Sequence, residues 1–284
     1  MSISLAVSPC PNDTFTFHAL VHGLVEGAPP VDVTYADVDV TNTAAVDGRF
    51  DMVKVSYGAL PWLLGNHHLL PCGGALGRGC GPLVLVPRDS TATDGDPASL
   101  AGARVAVPGD RTTAYLLLRL WAAGHSPRDI EIVPFHEIMP GVTDGRYDAG
   151  LVIHEARFTY PRYGLRALVD LGEWWERDTG LPIPLGAILV RHGAVDPDRA
   201  AEWVRASVRY AWARPAASEA YVLTHAQELE PSVVAQHIGL YVNGFTEDLG
   251  EEGYAAVRTL LGRAAAEGLT PPVADDMLRP TVTR

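Results

Sequence analysis

Residue types that can do chemistry fall in four short stretches of this 284-residue chain. His154 ends the β-rich run Gly150-Leu151-Val152-Ile153, and a polar and aromatic segment follows: Glu155, Arg157, Phe158, Tyr160 and Tyr163. An imidazole with an ordinary pKa of about 6.5 can take up a proton at neutral pH, so His154 is the candidate general base. Lys54 is the single lysine among 22 basic residues, the rest being arginine, and Val55 and Ser56 follow it. Either it is a leftover, or the position needs a compact ammonium on a flexible stem, which a planar guanidinium does not mimic. The loop Ser8-Pro9-Cys10-Pro11-Asn12-Asp13-Thr14 precedes a helical stretch. At least one of Asn12, Asp13 and Thr14 is expected to cap that helix. Its first-turn amides would face an anion. Thr112-Thr113 before Ala114 repeats the device and suits a carboxylate.

Other clusters read as structure. His18 and His22 lie four apart on one helix, a spacing that permits metal chelation, but no acidic motif accompanies them. Two partly exposed helix residues are expected there. His67 and His68 are adjacent and would point in different directions. The stretch Gly73-Gly74-Ala75-Leu76-Gly77-Arg78-Gly79 lacks the Lys-Ser/Thr of a phosphate loop and is expected to be a mobile rim turn. No serine nucleophile elbow and no dinucleotide fingerprint are present, and no metal site is expected.

An internal repeat supplies the elements that position these residues. Leu5-Ala6-Val7-Ser8-Pro9 matches Val105-Ala106-Val107-Pro108-Gly109, and Val31 to Tyr35 matches Ile130 to Pro134. Asp47-Gly48-Arg49-Phe50-Asp51 matches Asp144-Gly145-Arg146-Tyr147-Asp148. Each half reads strand, helix, strand, helix, strand, with the first helices over Thr14–Val25 and Thr113–Ala123. Helical crossovers between strands imply mostly parallel sheets, in which ligands bind beyond the carboxyl ends of the strands. The apolar runs 81–87 and 183–190 are expected to carry the chain out to a second lobe and back. The C-terminal helices, 198–214 and 249–267, are expected to pack on the first. The resulting expectation is an α/β, type-2 periplasmic-binding-protein-like fold with a ligand cleft. Residues 1–87 and 190–284 would form a discontinuous first lobe, and residues 88–189 an inserted second one.

Composition narrows the partners. A net charge of −12 argues against a nucleic-acid or anionic-membrane surface. No apolar run approaches the ~20 residues that span a bilayer, and the start Met1-Ser2-Ile3-Ser4-Leu5 has no signal-like pattern. A cytoplasmic protein with a small-molecule ligand is expected. Cys10, Cys72 and Cys80 are odd in number and read as reduced, the last two as small apolar residues.

Five motifs resemble the 1,4-dihydroxy-6-naphthoate synthase family of the futalosine route to menaquinone. They are Ser8 to Phe15, Lys54-Val55-Ser56-Tyr57, Gly73 to Gly79, Val107-Pro108-Gly109 through Thr112-Thr113-Ala114-Tyr115, and Ile153-His154-Glu155-Ala156-Arg157-Phe158-Thr159-Tyr160. The likeness extends over nearly the whole chain, including Gly172-Glu173-Trp174-Trp175 and Tyr241-Val242-Asn243. It implies a lyase acting on cyclic dehypoxanthinyl futalosine, the same fold, and no metal or redox cofactor. It also implies that His154 is the proton acceptor, while Lys54, Val55, Ser56 and Thr112 to Ala114 line the substrate, with Asn12 and Asp13 in the wall. Lys54 would bind substrate or pair with Asp13. The competing readings are a non-catalytic carboxylate-binding protein, a chorismate dehydratase of the same fold, and a ligand-sensing domain.

Overall fold

The computed structural model describes residues 2–125, 127–226 and 230–279. Its contacts divide the chain into two units, Met1–Gly77 with Pro184–Arg284, and Arg78–Ile183. The first begins β1 (Ile3–Val7), α1 (Pro11–Val21), β2 (Val31–Tyr35), α2 (Val38–Val46), β3 (Met52–Ser56), β4 (His67–Leu69) and β5 (Ala75–Gly77). The second holds β6 (Leu83–Pro87), β7 (Arg104–Val107), α3 (Thr113–Trp121), β8 (Asp129–Ile132), α4 (Phe135–Thr143), β9 (Ala149–Val152), α5 (Ala156–Thr159), β10 (Leu165–Asp170) and α6 (Leu171–Thr179). β11 (Ile183–Arg191) returns to the first unit. Then follow α7 (Pro197–Ala213), α8 (Glu219–His225), α9 (Pro231–Tyr241), α10 (Gly244–Glu247), α11 (Gly250–Ala266) and α12 (Asp275–Leu278).

The two sheets have one plan. The first runs β2-β1-β3-β11-β4, with β5 also on β11; the second, taken in the same direction, runs β8-β7-β9-β6-β10. β1 is parallel to β2 and β3, and β7 is parallel to β8 and β9. β11 lies antiparallel to β3 as β6 lies antiparallel to β9. This exchange explains where the unit boundaries fall. The strand 81–87, grouped by its sequence with the first lobe, pairs in the second sheet, and the strand after Ile183 pairs in the first. The divisions therefore lie at 77/78 and 183/184, not at 87/88 and 189/190.

The repeated pentapeptide has the same task twice. Asp47 and Asp144 are the C-caps of α2 and α4, and Gly48 (φ +64°) and Gly145 (φ +75°) then turn left-handed, which glycine does without a Cβ penalty. The final aspartates fasten β1 in the first sheet and β7 in the second. Asp51 accepts from the Ser4 amide (3.0 Å) and Asp148 from the Arg104 amide (2.8 Å). Burial pushes the Asp51 carboxyl up, but bonds from Ser4 and Arg191 outweigh it and hold it below the usual range. The Arg104 amide does the same for Asp148.

Each unit has its own core. Leu5, Val7, Phe17, Met52, Ile188 and Val204 are buried together in the first, which places α7 on its sheet. Leu85, Ala106, Ile138, Val142 and Val152 form that of the second. Fully burying such a side chain is worth ~1.5–3 kcal/mol, so either sheet holds its strand ends in place. Cys10, Cys72 and Cys80 are buried and form no disulfide, and burial pushes the thiols of Cys72 and Cys80 up to about 12. Among the described residues no helix is long and apolar enough to cross a membrane.

Candidate active site

Parallel pairing of β1 with β3 sets the loop after β1 beside the carboxyl end of β3. That loop enters α1 earlier than its sequence signals. Pro11 stands at the first helical position, where its missing N–H costs nothing. Cys10 is the N-cap residue and its side chain makes no capping bond. Asn12, Asp13 and Thr14, expected to cap, lie inside the first turn; Thr14 Oγ1 donates to the Cys10 carbonyl (3.2 Å). The side chains of Asn12 and Asp13 are thereby released for another purpose.

That purpose is a buried network. Asp13 Oδ2 accepts from the Ser8 amide (3.1 Å) and the Ser8 hydroxyl (2.6 Å). Its Oδ1 accepts from Asn12 Nδ2 (2.9 Å) and from the Lys54 ammonium. Asp13 is 1% exposed and Lys54 8%, so both charges depend on these partners. Lys54 thus pairs with Asp13, one of the two roles its sequence left open. Gly186, opposite Ser56 on β11, makes room for it: a Cβ there would stand 2.9 Å from Lys54 Cε. At the end of β3, Ser56 is bonded twice to Asn42 of α2. Its amide donates to Asn42 Oδ1 (2.8 Å), and Asn42 Nδ2 donates to its hydroxyl (3.2 Å). The Val55 side chain is buried in the sheet. Asn42 and His237 of α9, whose Nε2 lies 3.0 Å from Asn12 Oδ1, belong to this site, and sequence reasoning assigned them no role in it, whereas Ser8 lies in the loop expected to form its wall.

In the second unit, parallel pairing of β7 with β9 likewise sets Gly109 to Thr113 beside the segment after β9. Thr112 is the expected N-cap of α3: its hydroxyl accepts from the Tyr115 amide (3.1 Å) and donates to the Gly109 carbonyl (2.9 Å). Thr113 and Ala114 open the helix, where first-turn amides have no intrahelical acceptor. His154 follows β9 by two residues and, among the described residues, is the one non-glycine with a left-handed backbone, at φ +54°. Phe135 meets its ring edge-on, with centroids 5.4 Å apart. The segment beyond is clamped. Arg157 pairs with Asp170 (2.5 Å) and donates to the Gly81 carbonyl (2.8 Å), while Asp170 caps α6 through the amides of Gly172 and Glu173. By strand register, Ala6 faces Val53 and Ala106 faces Gly150, so His154 is the counterpart of Tyr57.

Two expectations are corrected. The segment Gly73–Gly79, expected to be a mobile rim turn, contains β5 paired with β11 and is buried except at Arg78 and Gly79. A Cβ on Gly74 would lie 2.4 Å from the Gly186 carbonyl, so the glycines serve a close strand approach. His18 is buried while His22 is exposed; packing of α8 covers one side of α1.

Two sheets of this order, with polar loops at the carboxyl ends of their parallel strands, define a periplasmic-binding-protein-like fold. The chain is similar in structure to the alkanesulfonate-binding protein SsuA of Xanthomonas axonopodis pv. citri, solved with MOPS bound. The TM-score is 0.73 at 16% identity, covering 95% of this chain and 94% of that one. The family model described as menaquinone biosynthesis matches residues 3–266, and the chain belongs to that family. A protein of Streptomyces coelicolor named 1,4-dihydroxy-6-naphtoate synthase is 60% identical over 282 residues, 98% of each chain. A protein of Thermus thermophilus with the same name is 48% identical, over 95% of this chain and 97% of that one.

Proposed function

We propose that this chain is a 1,4-dihydroxy-6-naphthoate synthase, with His154 as its general base. It is a lyase of menaquinone biosynthesis. Its substrate is cyclic dehypoxanthinyl futalosine. His154 takes a proton from the cyclised sugar, a carbon–carbon bond of that sugar breaks, and the naphthoate ring gains aromaticity as the sugar-derived fragment leaves. Full-length identity to relatives of that name supports the reaction. The observation that carries the base is the backbone of His154. A histidine held at φ +54° stores strain of ~1–3 kcal/mol, and such strain persists where a side chain must be aimed. Ser56 and Thr113 supply hydrogen bonds to a substrate carboxylate or developing oxyanion, backbone amides at Thr113 and Ala114 add to them, and Thr112, whose hydroxyl donates to the Gly109 carbonyl, lines the substrate and holds that loop. Asn12, Asp13, Lys54 and Val55 complete the substrate-binding set. Three cysteines outside any disulfide accord with a reducing compartment, and we place the enzyme in the cytoplasm.

The test is His154→Asn beside His154→Ala. Asparagine tolerates the left-handed region, so the first variant removes the base with little backbone cost. Both are expected to lose ~10²- to 10⁴-fold in kcat on the cyclic substrate while folding as the parent does. Wild-type turnover by His154→Ala overturns the base. Dehydration of chorismate, or tight binding of the cyclic substrate without turnover by the parent, overturns the reaction.

A further inference from the structure

We propose that His237 is a positioning residue, which orients Asn12 and through it the Asp13–Lys54 pair. The proposal deepens the functional reading above and rests on it for its kinetic consequences. His237 lies on α9, 1% exposed, with Nε2 3.0 Å from Asn12 Oδ1. The order of donors along this line is forced. Asp13 Oδ1 is a carboxylate oxygen and can only accept, so the amide end of Asn12 that faces it at 2.9 Å is the NH₂ group. The carbonyl end of Asn12 then faces His237 and needs a donor. Nε2 of His237 carries that hydrogen. The line runs from the imidazole to the Asn12 carbonyl, from the Asn12 amide to Asp13 Oδ1, and meets the Lys54 ammonium on the same oxygen.

The other half of Asp13 is fixed separately, because Oδ2 takes both Ser8 bonds. Ser8 therefore locates the carboxylate, while the Asn12 side determines what reaches Oδ1. A flipped Asn12 would turn its carbonyl oxygen toward the carboxylate and leave Lys54 as the sole donor there. His237 opposes that flip. Its own ring is held against Tyr241, with centroids 4.5 Å apart. α9 belongs to neither sheet, so this contact gives it a part in the site.

The chain's single lysine makes the test direct, since its ammonium gives one lysine side-chain signal in a nitrogen-15 NMR spectrum. Two variants are compared with the parent. His237→Leu removes the donor at similar bulk; His237→Gln restores an N–H donor. In His237→Leu the Lys54 signal is expected to shift or broaden, and kcat/KM for the cyclic substrate to fall ~10- to 100-fold, the scale of a small misplacement in an organised site. His237→Gln is expected to restore both. Asn12→Ala is expected to lose as much as His237→Leu, and the double variant no more than either, as befits members of one unit. An unchanged Lys54 signal in folded His237→Leu overturns the proposal, as does an additive double variant. If His237→Leu does not fold, the Lys54 signal of Asn12→Ala decides: no change overturns the proposal. A parent without turnover, whose Lys54 signal still responds to these variants, overturns the functional reading and leaves the positioning line standing.

Discussion

After β1 the chain packs Asn12 and Asp13 into the first turn of α1 around a buried ammonium; after β7, one hundred residues on, Thr112 caps α3 and Thr113 opens it. The frames around these loops are alike in strand order, in the helix stops at Gly48 and Gly145, and in the aspartates that fasten β1 and β7. The loops differ in chemistry. One encloses two opposite charges with every oxygen of the carboxylate occupied. The other offers a threonine cap and helix amides, and the strain of its unit lies at His154. Features that recur between the units build sheets, and features that do not recur build the site.

The sharpest way to break this comparison is to remove one charge of the first unit. Losing one partner of a buried ion pair leaves the other uncompensated, at ~3–5 kcal/mol. Lys54→Met and Asp13→Leu are each expected to destabilise by that amount in chemical denaturation. The double variant, which buries no lone charge, should regain much of the stability but none of the turnover. The counterpart in the second unit, Thr112→Ala, removes only a cap and should cost ~1 kcal/mol. Equal losses in the two units would remove the distinction.

Much of the frame could be read from the residues. Apolar runs ending in Pro-containing loops place β1 and β7, and Asp-Gly before an aromatic and a second Asp marks a helix end and the start of the next strand. The exchange of β6 and β11 was illegible, because two apolar antiparallel strands look the same whichever sheet receives them. The start of α1 is hidden because Asn, Asp and Thr are good caps, whereas Pro11 at the first helical position makes Cys10 the cap and turns them inward. Lys54 stood out only by being alone. Asn42 and His237 carried no local signal: one sits in a helix of ordinary composition, and the other meets Asn12 across 225 residues of chain.

A second comparison tests the frame itself. Asp51 and Asp148 perform one task, but Asp51 also binds the Ser4 hydroxyl (2.9 Å) and Arg191 (2.8 Å), with its side chain 24% exposed against 52% for Asp148. Asp51→Ala is therefore expected to cost ~1.5–3 kcal/mol, the range for bonds to a charged group. Asp148→Ala should cost less than ~1 kcal/mol, because water can take over. Both carboxyls are held below their ordinary range, so their stabilisation is full above the unfolded pKa and fades as pH falls through the folded one. Urea titrations near neutrality and near pH 3 should show the difference between the two variants shrinking in acid. A larger loss from Asp148→Ala would reverse the ranking.

The smallest effect concerns a histidine that one helix has and the other lacks. His18 of α1 is buried against Tyr221 of α8 (ring centroids 5.4 Å) and beside His22 (4.4 Å), and Leu120 holds the same place counted from the start of α3. Burial first, and then the neighbouring His22 charge, lowers the His18 pKa from 6.5. Above 6.5 the ring is neutral whether the chain is folded or unfolded, and it contributes no pH dependence. Below 6.5 the unfolded chain takes up the proton first, so stability falls with pH until the folded ring is protonated too. A single group can contribute at most ~1.4 kcal/mol per pH unit to that slope. His67, buried on β4 with its pKa also lowered, adds a share of the same sign. Copying the second unit's residue with His18→Leu should flatten the fall in denaturation midpoint between pH 7.5 and 5.5 without abolishing it. A slope identical to that of the parent would mean that the acid sensitivity of the first unit lies in other groups.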